Sequence, residues 1–451
     1  MKARMHLWVA AALLATPIGG CAKLKAITQP EARSGNANFA VYAAMGTSIT
    51  AGWESGGLVV THQQQSYAYL FARQAGASSF TIPSVSPPGV PPLLRILSLN
   101  PLIITNAGLL PGTWTNFAQP TAYHNMAVPY SLVPDAVDST NYYNQFPERN
   151  EQFDHIVRHR GTILQQVLSL APTFISIEYG SNEVLGAATS GSGTPLLSPA
   201  LYGAILRALL NGIGLLAPQT RLALVTVPDV TAIPFFNTFS PITVNANTGA
   251  PMPLVGSGGP LQPSDRVLLT AADSLVVGTG FPIGGYNYVN PAAPGNGRPL
   301  LDSQVLTALE AVSIQAAVAA FNDSIRAEAA QRGAAIVDLH GLLEEAATTG
   351  LSFQGHVYTA DFVTGGLFSL DGVHPTDLAH GFIANAMIDA VNATYGASIP
   401  RVDLSASATL TASRLSPAGG GKALPWIRNA GSLCPAYPRE AMISIVRWPR
   451  L

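Results

Sequence analysis

Short, unbroken apolar runs alternate along the chain with longer stretches in which apolar residues recur every three or four positions. Residues 39–45 (FAVYAAM) are apolar throughout and predict a strand buried on both faces. Residues 101–105 (PLIIT), 173–179 (TFISIEY), 221–228 (RLALVTVP) and 334–339 (AAIVDL) predict four more. Between them lie helical patterns. Residues 65–74 carry Tyr67, Leu70 and Phe71 on one face, and Phe153, Ile156, Ile163, Val167, Leu168 and Leu170 predict a helix that stops before Pro172. Ser198-Pro199 is a cap followed by proline in the first turn, so a helix is expected from there to about Leu216. Asp302 is the expected cap of a helix striped by Ile314, Val318, Phe321 and Ile325 and ended by Gly333. A last helix is expected from Thr376 to about Asn392.

Strand alternating with helix implies parallel strands with helices on both faces. Two stretches break the pattern. Residues 229–300 lose periodicity and fill with Pro, Gly and Asn, which reads as a long insertion lying over a site. Residues 401–451 are low in complexity and read as a peripheral or disordered tail. The expected domain therefore spans 38–400.

Composition sharpens this picture. Of 451 residues, 48% are hydrophobic and 11% charged, enough apolar surface for one large core or two modest ones. A formal charge of −2 gives no reason to expect a nucleic-acid partner. Two cysteines, Cys21 and Cys434, exclude a cysteine-based zinc cluster, and the nine histidines show no HExxH-type pairing. No metal and no cofactor is expected.

The N-terminus carries Lys2 and Arg4, an apolar run from Leu7 to Leu14, and then Ile18-Gly19-Gly20-Cys21. The run is too short to span a bilayer. It resembles a bacterial lipoprotein signal, which implies removal of residues 1–20, lipid on Cys21, a tether over 21–37, and a place on the cell envelope, at the outer membrane.

In open α/β sheets, ligands bind beyond the carboxyl ends of the strands. Ser48 follows the first run inside GTSIT, NAGLLPGTW (106–114) follows the second, GSNEVLGA (180–187) follows the third, and DGVHPTDLAH (371–380) precedes the last helix. A serine hydroxyl needs a base to take its proton, and His374 can serve. Asp371, three residues earlier, can hold the other imidazole nitrogen. The Ser48 N–H, a glycine N–H and the Asn182 amide can supply oxyanion donors.

These four segments resemble the four blocks of the SGNH hydrolases, or GDSL esterases and lipases. Gly46-Thr47-Ser48-Ile49-Thr50 is similar to the nucleophile block, Gly112 to the glycine of the second block, and Gly180-Ser181-Asn182-Glu183 to the third. Asp371-Gly372-Val373-His374-Pro375 is similar to the DxxHP block, the most specific of the four. The resemblance implies a flavodoxin-like three-layer α/β/α sandwich with a mostly parallel five-stranded sheet. It also implies ester hydrolysis by Ser48, His374 and Asp371, with Ser48, Gly112 and Asn182 at the oxyanion. Thr47 stands where the family has Asp, and Glu183 where it has Asp; Gly108 is a second candidate for the glycine. A lipid or other acyl ester is the expected substrate. Carbohydrate O-deacetylation on the same fold is the nearest alternative, and an inactive envelope-binding lipoprotein is the alternative from another class.

Overall fold

A computed structural model of the chain describes residues 32–99, 102–140 and 151–414. Cys21, the signal-like segment 1–20 and Cys434 lie outside the described residues.

Four parallel strands form the central sheet in the order Tyr42–Gly46, Phe174–Glu178, Arg221–Val225, Ala335–Val337. Tyr42 lies opposite Phe174, and Phe174 opposite Arg221. The first two strands are buried at every position, as their unbroken apolar sequences require. Alternate residues feed two cores. Ala43, Met45, Ile175, Ile177, Leu222 and Leu224 face one layer, which includes the helices Pro199–Leu216 and Ala308–Arg332. Tyr42, Ala44, Phe174, Ala223, Val225 and Val337 face the other, which includes Tyr67–Gln74 and Asp377–Tyr395. The architecture is a three-layer α/β/α sandwich.

The strand expected at 101–105 is not in this sheet. Leu102–Asn106 pairs antiparallel with Leu94–Leu99 in a separate hairpin. Its burial shows why: Leu94, Ile96, Leu102 and Ile104 are buried while their neighbours are half-buried or exposed, the period of a strand covered on one face only. The fifth line of backbone comes instead from 124–128, beside the first strand. Ala44 N–H donates to His124 O (2.8 Å), Met126 N–H to Ala44 O (2.9 Å) and Val128 N–H to Gly46 O (3.0 Å), and Ala44 and Asn125 form a parallel bridge.

Three helix expectations shift as well. The helix expected around 153–170 is two, Glu151–Ile156 and Ile163–Ser169. Arg158 (φ 58°), His159 (φ 55°) and Gly161 (φ 95°) take left-handed conformations that end the first, and Thr162 with Gln165 forms a capping box that starts the second. Asp302 opens only a short turn; the long helix Ala308–Arg332 is capped by Thr307, paired with Glu310. The last long helix runs to Tyr395, where Gly396 (φ 63°) closes it.

The insertion 229–300 is made of short pieces, among them the helices Pro234–Asn237 and Ala272–Val276 and the hairpin Ile242–Val244 with Pro251–Pro253. Its Phe235, Phe236, Leu268, Leu269 and Phe281 are buried in the same core as Met45 and Ile177. It is packed into the body rather than laid over it. Of the expected tail, Ser405–Arg414 is a helix that meets Asp377–Tyr395, with Leu404, Ser407 and Thr411 buried; residues 415–451 lie outside the described residues.

Candidate active site

Ser48 is the first residue of the short helix Ser48–Ala51, directly after the first strand. The turn is tight. A Cβ on Gly46 would fall 2.4 Å from Thr50 Oγ1 and 2.8 Å from Glu178 O, so only glycine fits there. Gly52 closes the helix at φ 79°. The Ser48 N–H belongs to the first turn, where amides have no helical acceptor.

Thr47 is anchored from below. Its N–H (3.0 Å) and its hydroxyl (2.8 Å) both donate to Glu178 Oε2 at the end of the second strand, and the Thr50 hydroxyl does the same at 3.0 Å. Burial raises the Glu178 pKa, and the hydrogen bonds from Thr47, Thr50 and Ser181 oppose that rise. The threonine thus holds the nucleophile turn to the sheet through a carboxylate that lies in the sheet.

The loop before the last helix completes the site. Ser48 Oγ lies 2.9 Å from His374 Nε2, and His374 Nδ1 lies 2.9 Å from Asp371 Oδ2. Asp371 is fully buried. Its Oδ1 accepts from Val373 N–H (2.9 Å), His374 N–H (2.9 Å) and the Ser369 hydroxyl (3.0 Å), and its Oδ2 also accepts from Gly56 N–H (2.9 Å). Burial pushes the Asp371 pKa up, but His374 and these hydrogen bonds outweigh it and hold the carboxyl below its ordinary range. Trp53 lies over the imidazole with ring centroids 5.9 Å apart, and Tyr130 packs edge-on against Trp53.

Asn182 sits in the first turn of the helix Ser181–Thr189, beyond the second strand, and is buried. Its Nδ2 donates to Ser131 O at 2.9 Å, which leaves one amide hydrogen for another acceptor. Glu183, next in sequence, accepts from Val133 N–H at 2.6 Å, and burial pushes its pKa up to about 8.

Gly112 is not brought to the site. Its N–H donates to Gly89 O at 2.8 Å, and a Cβ there would lie 2.1 Å from Ser86 O, so this glycine serves the packing of one loop against another. Gly108 packs on Pro88. The turn between the nucleophile strand and Asn182 is 128–131: Val128 N–H and the Ser131 hydroxyl donate to Gly46 O, and Ser131 O accepts from Asn182. Tyr130 takes φ 68° in this turn. A tyrosine in a glycine-like conformation leaves no mark in sequence, because non-glycine residues enter that region only occasionally.

A second cluster also escaped the sequence reading. His62 Nδ1 lies 2.8 Å from Glu54 Oε2 and 2.9 Å from Asp377 Oδ1, all three buried. Their ligand atoms are close enough together to share a cation. The imidazole already occupies that role. Burial opposes its charge, yet the two carboxylates raise its pKa from 6.5 to about 9. Glu54 precedes Ser55 and Gly56, whose amides donate to Ser369 Oγ and Asp371 Oδ2, and Asp377 follows His374 by three residues. The imidazolium therefore ties the loop of Ser55 and Gly56 to the start of the helix that follows His374. The insertion also holds the loop before that helix: Phe235 N–H donates at 2.9 Å to the carbonyl of Gly372, which stands between Asp371 and His374.

No protein-family model matches the chain, and no curated protein does. Among solved structures, the chain is similar to a GDSL-like lipase from Parabacteroides merdae at 14% identity and a TM-score of 0.34, over 80% of this chain and 99% of that one. It is also similar to an extracellular lipase from Streptomyces rimosus (12%, TM-score 0.32, 77% of this chain and 98% of that one). An acetyl-xylooligosaccharide esterase from Geobacillus Stearmophilus aligns at 11% identity and a TM-score of 0.33, over 78% of this chain and 96% of that one.

Proposed function

We propose that the chain is a serine ester hydrolase of the SGNH type. The observation that carries this reading is the continuous line Ser48 Oγ, His374 Nε2, His374 Nδ1, Asp371 Oδ2, with both gaps at 2.9 Å. His374 takes the hydroxyl proton as Ser48 Oγ bonds to the ester carbonyl carbon. The tetrahedral oxyanion receives hydrogen bonds from the Ser48 N–H and the remaining Asn182 amide hydrogen. Collapse breaks the bond to the alcohol, which leaves with the proton held by His374. Water then repeats the sequence on the acyl-enzyme and releases the acid. Asp371, held by Gly56 N–H, the Ser369 hydroxyl, Val373 N–H and His374 N–H, fixes the imidazole tautomer and stabilises its charge.

The complete triad speaks against an inactive binding protein of the same fold. The experiment is reaction of the purified protein with a fluorophosphonate probe, followed by mapping of the adduct. Label on Ser48, absent in Ser48→Ala and His374→Ala, is the expected result; folded protein without label would refute the reading. Anchoring at the envelope through lipid on Cys21 belongs to the same proposal. It predicts that the wild type partitions into detergent and that Cys21→Ala stays in the aqueous phase.

A further inference from the structure

The turn 128–131 leads into a short 3₁₀ helix, Val133–Ala136, and two neighbouring residues of the helix Ser181–Thr189 grip this segment at two points. Asn182 Nδ2 donates to Ser131 O at 2.9 Å, and Glu183 Oε1 accepts from Val133 N–H at 2.6 Å. The same turn is tied to the nucleophile strand, since Val128 N–H and the Ser131 hydroxyl donate to Gly46 O. The bond at Ser131 O alone would let the segment pivot about that atom. The bond at Val133, two residues on, prevents the pivot. An amide group is planar, so the place of Ser131 O decides where the other amide hydrogen of Asn182 points.

Glu183 makes its bond at a cost to stability. The residue is fully buried, and its Oε2 has no hydrogen-bond partner. A buried polar atom left unpaired is destabilising, and in a native structure it calls for an explanation. Burial first, and then the nearby Asp135 and Glu178, push the Glu183 pKa up to about 8. At neutral pH the carboxyl therefore accepts from Val133 without setting a full negative charge behind the oxyanion donor. We propose that Glu183 is a positioning residue: through Val133 it holds the segment 128–136 so that Asn182 presents its remaining amide hydrogen to the oxyanion. The inference rests on the serine-hydrolase reading above and names the residue on which its oxyanion donor depends. The role needs an acceptor at this place and not a charge. Glutamine can fill it, and methionine, of similar length but with no carbonyl or carboxyl oxygen, cannot.

The test is a double-mutant cycle on the full chain, read as kcat and KM for a p-nitrophenyl ester. Glu183→Met should lower kcat by about tenfold to a hundredfold with KM nearly unchanged, because a misplacement of about 1 Å can cost that much. Glu183→Gln should hold kcat within about threefold of wild type. In an Asn182→Ala background, Glu183→Met should change kcat by less than about twofold, because no donor is left to misplace. A residue that serves stability alone would instead multiply its effect by that of Asn182→Ala. Glu183→Asp, which draws the carboxyl back by one methylene, takes the place of Glu183→Met if methionine prevents folding, which thermal melting reports. Wild-type kcat in that folded variant, a glutamine variant as slow as it, or losses that multiply in full would overturn the inference while Ser48 still reacts with the fluorophosphonate. Absence of both turnover and Ser48 adduct in the wild type would instead overturn the hydrolase reading, and this inference with it.

Discussion

The most quantitative expectation concerns His62 and alkaline pH. The imidazole is buried between Glu54 and Asp377, and its pKa rises from 6.5 to about 9 on folding. A folded-state pKa above the unfolded one means that the native protein holds the proton more tightly. The stabilisation is therefore complete below about 6.5 and is lost progressively as pH rises to about 9. The gap corresponds to roughly 3 kcal/mol. Glu183 contributes with the same sign over a lower window, from 4.5 to about 8, so the wild-type slope alone does not isolate the histidine. A comparison with His62→Gln does, because glutamine keeps a donor but does not titrate. Urea unfolding at a series of pH values from about 6 to about 10 should show the wild type losing roughly 3 kcal/mol more than the variant. Parallel stability curves for the two proteins would refute the argument. Esterase activity should fall with the same midpoint, because the cluster joins the loop of Gly56 to that of His374.

Three further outcomes are expected. Asn182→Ala should lower kcat by about 10²–10³-fold with KM nearly unchanged, because the donor acts on charge that develops only in the transition state; equal kcat in steady-state assays would exclude the oxyanion role. Thr47→Asp should destabilise the protein by roughly 2 kcal/mol or more in urea titrations, because it replaces a donor 2.8 Å from a buried carboxylate with a second carboxylate. Adding Glu178→Gln should recover part of that loss, and a Thr47→Asp variant as stable as wild type would contradict the account. Gly372→Ala should reduce kcat/KM and stability together, since Gly372 holds φ 70° and a Cβ there would lie 2.8 Å from Leu269 Cδ2; the check is steady-state kinetics beside thermal melting.

What sequence disclosed here and what it hid follow from the range of the interactions. Ser48, Asn182 and His374 were legible because each directly follows a strand or precedes a helix that its own apolar pattern announces. Asp371 was legible because it reaches His374 across one turn. The sheet's fifth line was not: 124–128 (HNMAV) is short, and its pairing is a matter of three long-range backbone bonds. The hairpin arm 102–106 carried a stronger apolar signal and drew the assignment to itself, and with it the assignment of Gly112. The partner of Thr47 was hidden for a related reason. Glu178 lies 131 positions away, and its side chain points into a buried interior that nothing in its neighbours announces. The same holds for His62, which meets Asp377 across 315 positions.

The bond from Phe235 to Gly372 has a bearing on how this chain can change length. Gly372 stands between the triad acid and base, so any rearrangement at the start of the 229–300 segment is felt at both. That segment cannot be trimmed or exchanged as a cassette, either by drift over generations or by a protein engineer. Length can be altered where a side chain would project into open space. Gly249, in the turn between Ile242–Val244 and Pro251–Pro253, and Gly258, in the turn of a second hairpin that pairs Val255–Gly256 with Gly259–Pro260, have no heavy atom within 4 Å of where a side chain would begin. Extra residues spliced at those tips would extend into solvent and leave the acid and base in register, and that is where tags, fluorophores or whole domains can be grafted into an active protein.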